Sequence, residues 1–112
     1  MKSFDEMLAP IKKALLSVSN NVGHFEANNA NVTHIVYAED AEGSSVSANN
    51  IKECRSIQGS IDLYALPKDL SIADEIEKAL NNEDIYFSLE TVTPYESDTK
   101  VFIHYEWSFE VT

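Results

Sequence analysis

A chain of 112 residues with a net charge of −11 and 44% apolar residues has the size and composition of one acidic domain that buries a core without a metal or a disulfide. The excess of acidic residues, 19 against 8 basic ones, disfavours binding to nucleic acid phosphates and to anionic membranes. This negative charge either serves solubility alone or forms a surface past which DNA slides without being bound.

The first predicted element is an amphipathic helix over Phe4–Val18. Ser3 and Glu6 have the spacing of a capping box, in which each side chain satisfies a free backbone amide at a helix start. Apolar residues then recur at helical spacing. Pro10 removes one backbone hydrogen bond, so we expect the helix either to kink there or to begin later than the capping box suggests.

Two strand patterns precede an acidic loop in the middle of the chain. Gly23–Ala27 predicts a short strand, and Val32–Glu39 predicts a longer one because it is rich in β-branched and aromatic residues. Asp40–Asn50 is small, polar and acidic, and it is predicted to be a mobile loop. Ile51–Leu66 alternates apolar and polar residues and predicts a second long strand, in which Gly59 marks a bulge or a close approach.

The following segments predict a second helix and a strand. Asp69 or Ser71 is expected to cap a helix. Its apolar residues form one stripe, Ile72, Ala73, Ile76, Ala79 and Leu80. Ile85–Thr93 alternates as a strand does, and Pro94–Thr99 is predicted to be the turn of a hairpin.

The last 13 residues, Lys100 to Thr112, alternate with a period of two and predict a long strand with one buried face. The residues predicted to face the core are Val101, Ile103, Tyr105, Trp107, Phe109 and Val111. Trp107 and Phe109 are expected to be core aromatics, each stabilising the fold by roughly 2–3 kcal/mol. Phe102 breaks the alternation. It and Tyr86 are aromatic on the face predicted to meet water, where such rings are either scattered surface residues or part of an interface.

This order of elements predicts an α+β fold, with residues 1–112 forming a single domain. We expect a two-layer sandwich in which two helices pack on one face of a four- to five-stranded, mainly antiparallel sheet, in the order α-β-β-α-β-β.

The residue types used in catalysis and metal binding form no familiar motif. His24, His34 and His104 lie on three different segments, and neither His-x-x-x-His nor Cys-x-x-Cys occurs. Cys54 is the one cysteine, so no disulfide forms within the chain, as fits a reducing compartment. Carboxylates are abundant, and we interpret them as solvated. We therefore expect a protein that is not an enzyme and that has no cofactor and no metal site.

The N-terminal segment bears on localisation. Asp5 and Glu6 lie where a signal peptide would have its apolar core, and no stretch approaches the roughly 20 apolar residues of a membrane helix. We expect a cytosolic product with no export signal.

Four segments together resemble small tail-terminator or tail-completion proteins of long-tailed phages and prophages of Gram-positive bacteria. The C-terminal IHYEWSFEV is similar to the last strand of that family, and MKSFDEMLAPIKKAL is similar to its first helix. The other matching stretches are Tyr37–Asp40 with Glu42 and Gly43, and Gly59–Tyr64, followed by a helix such as Ile72–Leu80.

The resemblance implies an α+β sandwich and a structural role in the virion tail. Proteins of this family form a ring, typically a hexamer, that ends tube growth at the head-proximal end and allows head–tail joining. The implied partners are further copies of the chain, the tail tube protein and the head–tail connector protein, without sequence-specific nucleic acid or membrane. The protein would be made in the host cytoplasm and end up in the virion tail.

Six residues are candidates for the interfaces of such an assembly: Asp40, Glu42, Ser44 and Ser45 in the acidic loop, and Tyr86 and Phe102 on the sheet. The loop is expected to lie on a ring face or in the lumen, where negative charge would let DNA pass without phosphate contacts. The alternative function is a small non-enzymatic protein-binding or regulatory module that holds its partner with the exposed aromatic residues of the sheet.

Overall fold

The computed structural model describes residues 2–43 and 55–112. In these ranges the elements are α1 (Phe4–Val18), β1 (Val22–His24), β2 (His34–Glu42), β3 (Ile57–Ala65), α2 (Ile72–Asn82), β4 (Tyr86–Ser97) and β5 (Lys100–Val111). A 3-10 turn, Pro67–Asp69, precedes α2. No helix in these ranges is long and apolar enough to cross a membrane.

The five described strands form one sheet in the order β1-β2-β3-β5-β4. β1 runs parallel to β2, and the other neighbouring strands are antiparallel. The apolar stripes of α1 and α2 join the inward residues of β3 and β5 in one buried cluster. The predicted α+β fold, with two helices on one face of a mainly antiparallel sheet, is confirmed.

The core lies between the helices and the centre of the sheet. β3 buries alternate residues along its whole length: Ile57, Gly59, Ile61, Leu63 and Ala65. Trp107 and Phe109 of β5 lie opposite Ile61 and Gly59 and are buried, as predicted. A Cβ on Gly59 would lie 2.5 Å from Cζ of Phe109 and closer still to the carbonyl oxygen of Ala38. The predicted close approach at Gly59 is therefore confirmed.

α1 begins at the predicted capping box. The Ser3 hydroxyl accepts a hydrogen bond from the Glu6 amide at 3.2 Å, and the Glu6 carboxylate accepts one from the Ser3 amide at 3.1 Å. The hydrogen bond from the Ser3 backbone lowers the pKa of Glu6 most, and the bond from the Ser3 side chain lowers it further, because both stabilise the ionised carboxylate. The helix runs through Pro10, so the alternative of a later start is wrong.

α2 begins without the side-chain cap predicted for it. Ser71 occupies the N-cap position, but its side chain makes no capping hydrogen bond. The Asp69 carboxylate instead accepts a hydrogen bond from the Thr33 hydroxyl at 2.5 Å, and that hydroxyl accepts one from the Leu66 amide. The Thr33 hydroxyl thus ties the start of β2 both to the end of β3 and to the turn before α2.

The boundaries around the acidic segment differ from the prediction. β1 ends at His24 rather than Ala27, and β2 continues to Glu42, which pairs with Ile57 beyond a bulge between Glu39 and Ala41. Asp40 and Glu42 are therefore strand residues rather than loop residues. The rest of the predicted loop and the start of the strand predicted from Ile51 lie outside the described residues, and with them Ser44, Ser45 and Cys54.

β4 and β5 form the predicted hairpin, but its turn is shorter than Pro94–Thr99. Ser97 pairs with Lys100, so the turn consists of Asp98 and Thr99. Asp98 has a φ of 49°, a left-handed conformation that aspartate tolerates in turns. Pro94 fits within β4 because β4 is an edge strand among the described strands, and an edge strand tolerates a residue that lacks a backbone donor.

A candidate assembly surface on the hairpin

Six apolar residues line the helix-side face of the hairpin where no described helix covers it. We call this surface the hairpin face; it consists of Leu89, Val92, Pro94, Val101, Ile103 and Tyr105. Val92 lies opposite Tyr105 and Pro94 opposite Ile103, so these side chains point to the same side of the sheet.

The hairpin face is exposed because the strands are much longer than the helices that pack on them. β4 and β5 have 12 residues each, about 40 Å at 3.3–3.4 Å per residue. α2 has 11 residues and α1 has 15, about 17 Å and 23 Å at 1.5 Å per residue. The helices cover the end of β5 that carries Trp107 and Phe109, and Tyr105 packs at the rim of that core.

Exposure is substantial at three positions of the hairpin face. Leu89, Val92 and Val101 keep between 45% and 49% of their surface exposed. The prediction that Val101 is buried is therefore wrong, although the alternation that placed it on the helix side is right. Glu96, opposite Val101, is a charged residue at the rim. An apolar sheet surface with a polar rim is typical of a protein interface.

The opposite face of the same strands holds a cluster of stacked rings. Tyr64 of β3 lies in register between His34 of β2 and His104 of β5. Its ring stacks on both imidazoles, with centroid distances of 4.8 Å and 4.4 Å and interplanar angles of 13° and 1°. Burial, followed by the nearby Asp62 carboxylate, raises the pKa of Tyr64 above its usual value near 10. The cluster forms a second, smaller packed layer behind the sheet.

Phe102 belongs to this ring cluster, and the expectation that it is exposed is wrong. Its ring meets His34 edge-on at 5.7 Å and lies 6.5 Å from Tyr95, and 1% of the residue is exposed. The segment between β1 and β2 contributes to this side, because the Lys100 ammonium donates a hydrogen bond to the carbonyl of Asn31. The sequence placed Phe102 on the correct face but did not show what covers it.

The other interface candidates among the described residues, Asp40, Glu42 and Tyr86, lie at the far end of the sheet from Phe102. Tyr86 is 71% exposed and pairs with Glu110, whereas Phe102 pairs with Tyr95 near the hairpin turn. Asp40 and Tyr86 line one cleft of about 330 Å³. Glu42 lies nearby at the exposed end of β2. The fold thus places Asp40 and Tyr86 along one cleft, on strands separated by β3 and β5, and far from Phe102.

Comparisons with known proteins find a likeness at the level of structure. No family model matches the chain, and no curated protein matches it. Among solved structures it is similar to that of the bacteriophage SPP1 gp17 protein, with a TM-score of 0.48 and 13% sequence identity over 96% of this chain and 86% of that chain.

Proposed function

We propose that the chain is a structural protein of a phage tail that forms a ring on the head-proximal end of the tail tube, ends tube growth and offers a docking surface for the head connector. The hairpin face is the observation that carries this proposal, since a contiguous apolar surface on an otherwise acidic chain gives each copy something to bury. The sequence resemblance to tail-terminator and tail-completion proteins supports the specific role.

The size of the hairpin face favours an assembly held by many contacts rather than a dimer. Fully burying a valine or leucine side chain stabilises by about 1.5–3 kcal/mol, so covering the exposed half of three such residues contributes about 2–4 kcal/mol. Association of two proteins costs about 4–15 kcal/mol in lost freedom. One such contact is therefore too weak alone, and we expect the ring to close on the tube end, where each copy also contacts the tube.

Charge reinforces this expectation. Every copy carries a net charge of −11, so copies repel one another in dilute buffer at low ionic strength. Salt screens that repulsion and leaves the apolar contact largely unaffected. A heterologous contact, in which the hairpin face of one copy packs on a different surface of the next, closes into a ring when the rotation between copies permits it. The role requires no catalytic step.

The test combines the protein with tail tubes of the phage that encodes it. We expect wild-type protein to cap one end of each tube in negative-stain images and to stop further addition of tube protein. The double variant V92E/V101E places two charges on the hairpin face and should lose capping. Its far-UV circular dichroism spectrum should be unchanged, and its melting temperature should fall by a few degrees at most, because the new charge at position 101 lies opposite Glu96 on an exposed part of the sheet. Leu16→Glu is the matched control, because Leu16 is 44% exposed on α1, away from the hairpin.

Three results would count against the proposal. Capping by V92E/V101E at the wild-type level would show that the hairpin face is not the contact. Loss of capping in Leu16→Glu as well would show a general charge effect. Wild-type protein that binds along the tube wall, or does not bind tubes at all, would refute the terminator role and favour the protein-binding module.

A further inference from the structure

The face of the sheet opposite the helices carries a set of metal-ligating groups that the proposed function does not use. It consists of Asp62 on β3 and His104 and Glu106 on β5, and we call it the carboxylate–imidazole cluster. Asp62 lies directly opposite Glu106, and His104 is two residues before Glu106, so all three side chains point to the same side. One ligand atom of each lies within 4.8 Å of the others.

The cluster is held on a rigid part of the molecule. β3 and β5 are neighbours in the interior of the described sheet and are paired without interruption from Ile57 and Val111 to Ala65 and Ile103. The His104 ring is fixed by its parallel stacking on Tyr64. The Asp62 and His104 side chains keep 23% and 19% of their surface exposed, so an ion from solvent has access to them.

The two carboxylates of the cluster, Asp62 and Glu106, face each other across the paired strands. Like charges directly opposite one another across two strands are destabilising. In residues 2–43 and 55–112, no lysine or arginine forms an ion pair with Asp62 or Glu106. Four basic residues of the described part make contacts elsewhere: Lys2 with Thr112, Lys13 with Glu83, Arg55 with the Phe4 ring and Lys100 with Asn31.

His104 relieves this repulsion in part. Its Nε2 lies 2.7 Å from Oδ1 of Asp62, so an Nε2–H group donates one hydrogen bond to that carboxylate. Among the described residues, no hydrogen bond or ion pair reaches the carboxylate of Glu106, the second acid of the opposed pair.

We propose that Asp62, His104 and Glu106 bind a divalent transition metal ion, with Zn²⁺ as the best match. One imidazole nitrogen and two carboxylate oxygens are ligands that Zn²⁺ accepts, and three protein ligands leave a further position for water. The imidazole favours Zn²⁺ over Mg²⁺ and Ca²⁺, which prefer oxygen ligands alone. For Nε2 of His104 to bind the ion, the hydrogen on Nε2 moves to Nδ1. The Asp62 carboxylate, which accepted that hydrogen, then binds the ion instead.

The ion would neutralise the opposed carboxylates and link β3 to β5. Because the ligand set exists in the folded sheet and not in the unfolded chain, binding raises stability by mass action. A free ion concentration one hundred times the dissociation constant should raise the melting temperature by about 10 °C in a domain of this size. No metal site is expected from the sequence because Asp62 lies on a different strand from His104 and Glu106, so the three residues form no motif within one segment.

The test uses untagged, EDTA-treated full-length protein and Zn²⁺ itself. We expect isothermal titration to show one ion bound per chain, a rise in melting temperature with Zn²⁺, and visible absorption bands when Co²⁺ is added in its place. Glu106→Gln is nearly isosteric. It should weaken Zn²⁺ binding at least tenfold and should melt at a higher temperature than wild type in EDTA, since it removes the repulsion.

His104→Ala should abolish the Co²⁺ bands, and His24→Ala is its matched control. His24 lies 2.6 Å from Glu39 in a comparable pair, but no third ligand joins that pair among the described residues. Absence of Zn²⁺ binding in wild type would overturn the proposal. Binding that persists unchanged in Glu106→Gln and His104→Ala would also overturn it, and would mean an adventitious ion only. If His104→Ala does not fold, Glu106→Gln decides alone. The assays involve no tail tubes, so they are independent of the proposed function.

Discussion

Replacing Trp107 by alanine tests how the core is built. The indole is fully buried, and it is the largest of the fully buried side chains in the described residues. It stacks on Tyr105 with a centroid distance of 5.8 Å. Its Nε1 donates a hydrogen bond to the Glu77 carboxylate at 2.8 Å, which links β5 to α2. The substitution therefore removes the main packing contact and a polar link between sheet and helix together.

The expected loss of stability is about 3–5 kcal/mol, as for other buried tryptophans truncated to alanine. The hydrogen bond accounts for about 1 kcal/mol of this, because Glu77 is half-buried and regains water when the indole is gone. A domain of this size has a total stability of about 5–15 kcal/mol, so the variant should lose a large part of it and unfold at a much lower denaturant concentration. Trp107→Phe keeps a ring in the core and should lose about 1–2 kcal/mol.

Urea unfolding should be followed by far-UV circular dichroism. Trp107 is the single tryptophan, so its fluorescence disappears in both variants. Tyr86→Ala is the control, since that side chain is mostly exposed and its loss should cost less than about 0.5 kcal/mol. A loss below about 1 kcal/mol in Trp107→Ala would refute the view that the indole fills the space between β5 and α2.

Two further predictions concern single positions on β3. Gly59→Ala should destabilise the protein by about 1–3 kcal/mol in urea unfolding, because the added carbon meets the Phe109 ring and the Ala38 carbonyl. Ser60→Ala, on the opposite face of β3, is the control and should be nearly neutral. Equal losses of stability in the two variants would contradict the close approach at Gly59. The raised pKa of Tyr64 means that the unfolded chain ionises first, so this residue's contribution is complete below about pH 10 and is lost as pH rises through its folded pKa. Tyr64→Phe should therefore lose less stability than wild type above about pH 10, and identical pH profiles would contradict this.

The fold could be predicted from the sequence wherever a single local pattern determines the secondary structure. The capping box at Ser3 and Glu6 started a helix despite Pro10, and alternation assigned the faces of β3 and β5 correctly. Burial was harder to predict, because it depends on what lies over a face. Val101 is on the helix side but beyond the reach of the helices, and Phe102 is on the other side but covered by rings from other strands.

The candidate sites depend on tertiary arrangement in the same way. The hairpin face consists of residues whose alternation is typical of a core. The one sign in the sequence that they are exposed is the length of β5, which exceeds the length of the helices. The carboxylate–imidazole cluster had one local signal, the i, i+2 spacing of His104 and Glu106 on one strand face. Asp62 joins them through the register of β3 against β5, which depends on the whole sheet and not on any motif.

The place of β5 in the sheet has a consequence for synthesis on the ribosome. β5 follows the other four described strands in sequence but is inserted between β3 and β4. Until it has left the exit tunnel, β3 has an open edge and the apolar side chains of its inner face lack the indole that will cover them. The nascent chain thus passes through a stage at which the open edge of β3 is available to pair with other chains. Slow translation of the β5 codons would prolong that stage and favour aggregation, whereas a holdase chaperone bound to the inner face of β3 would protect the chain until the last strand arrives.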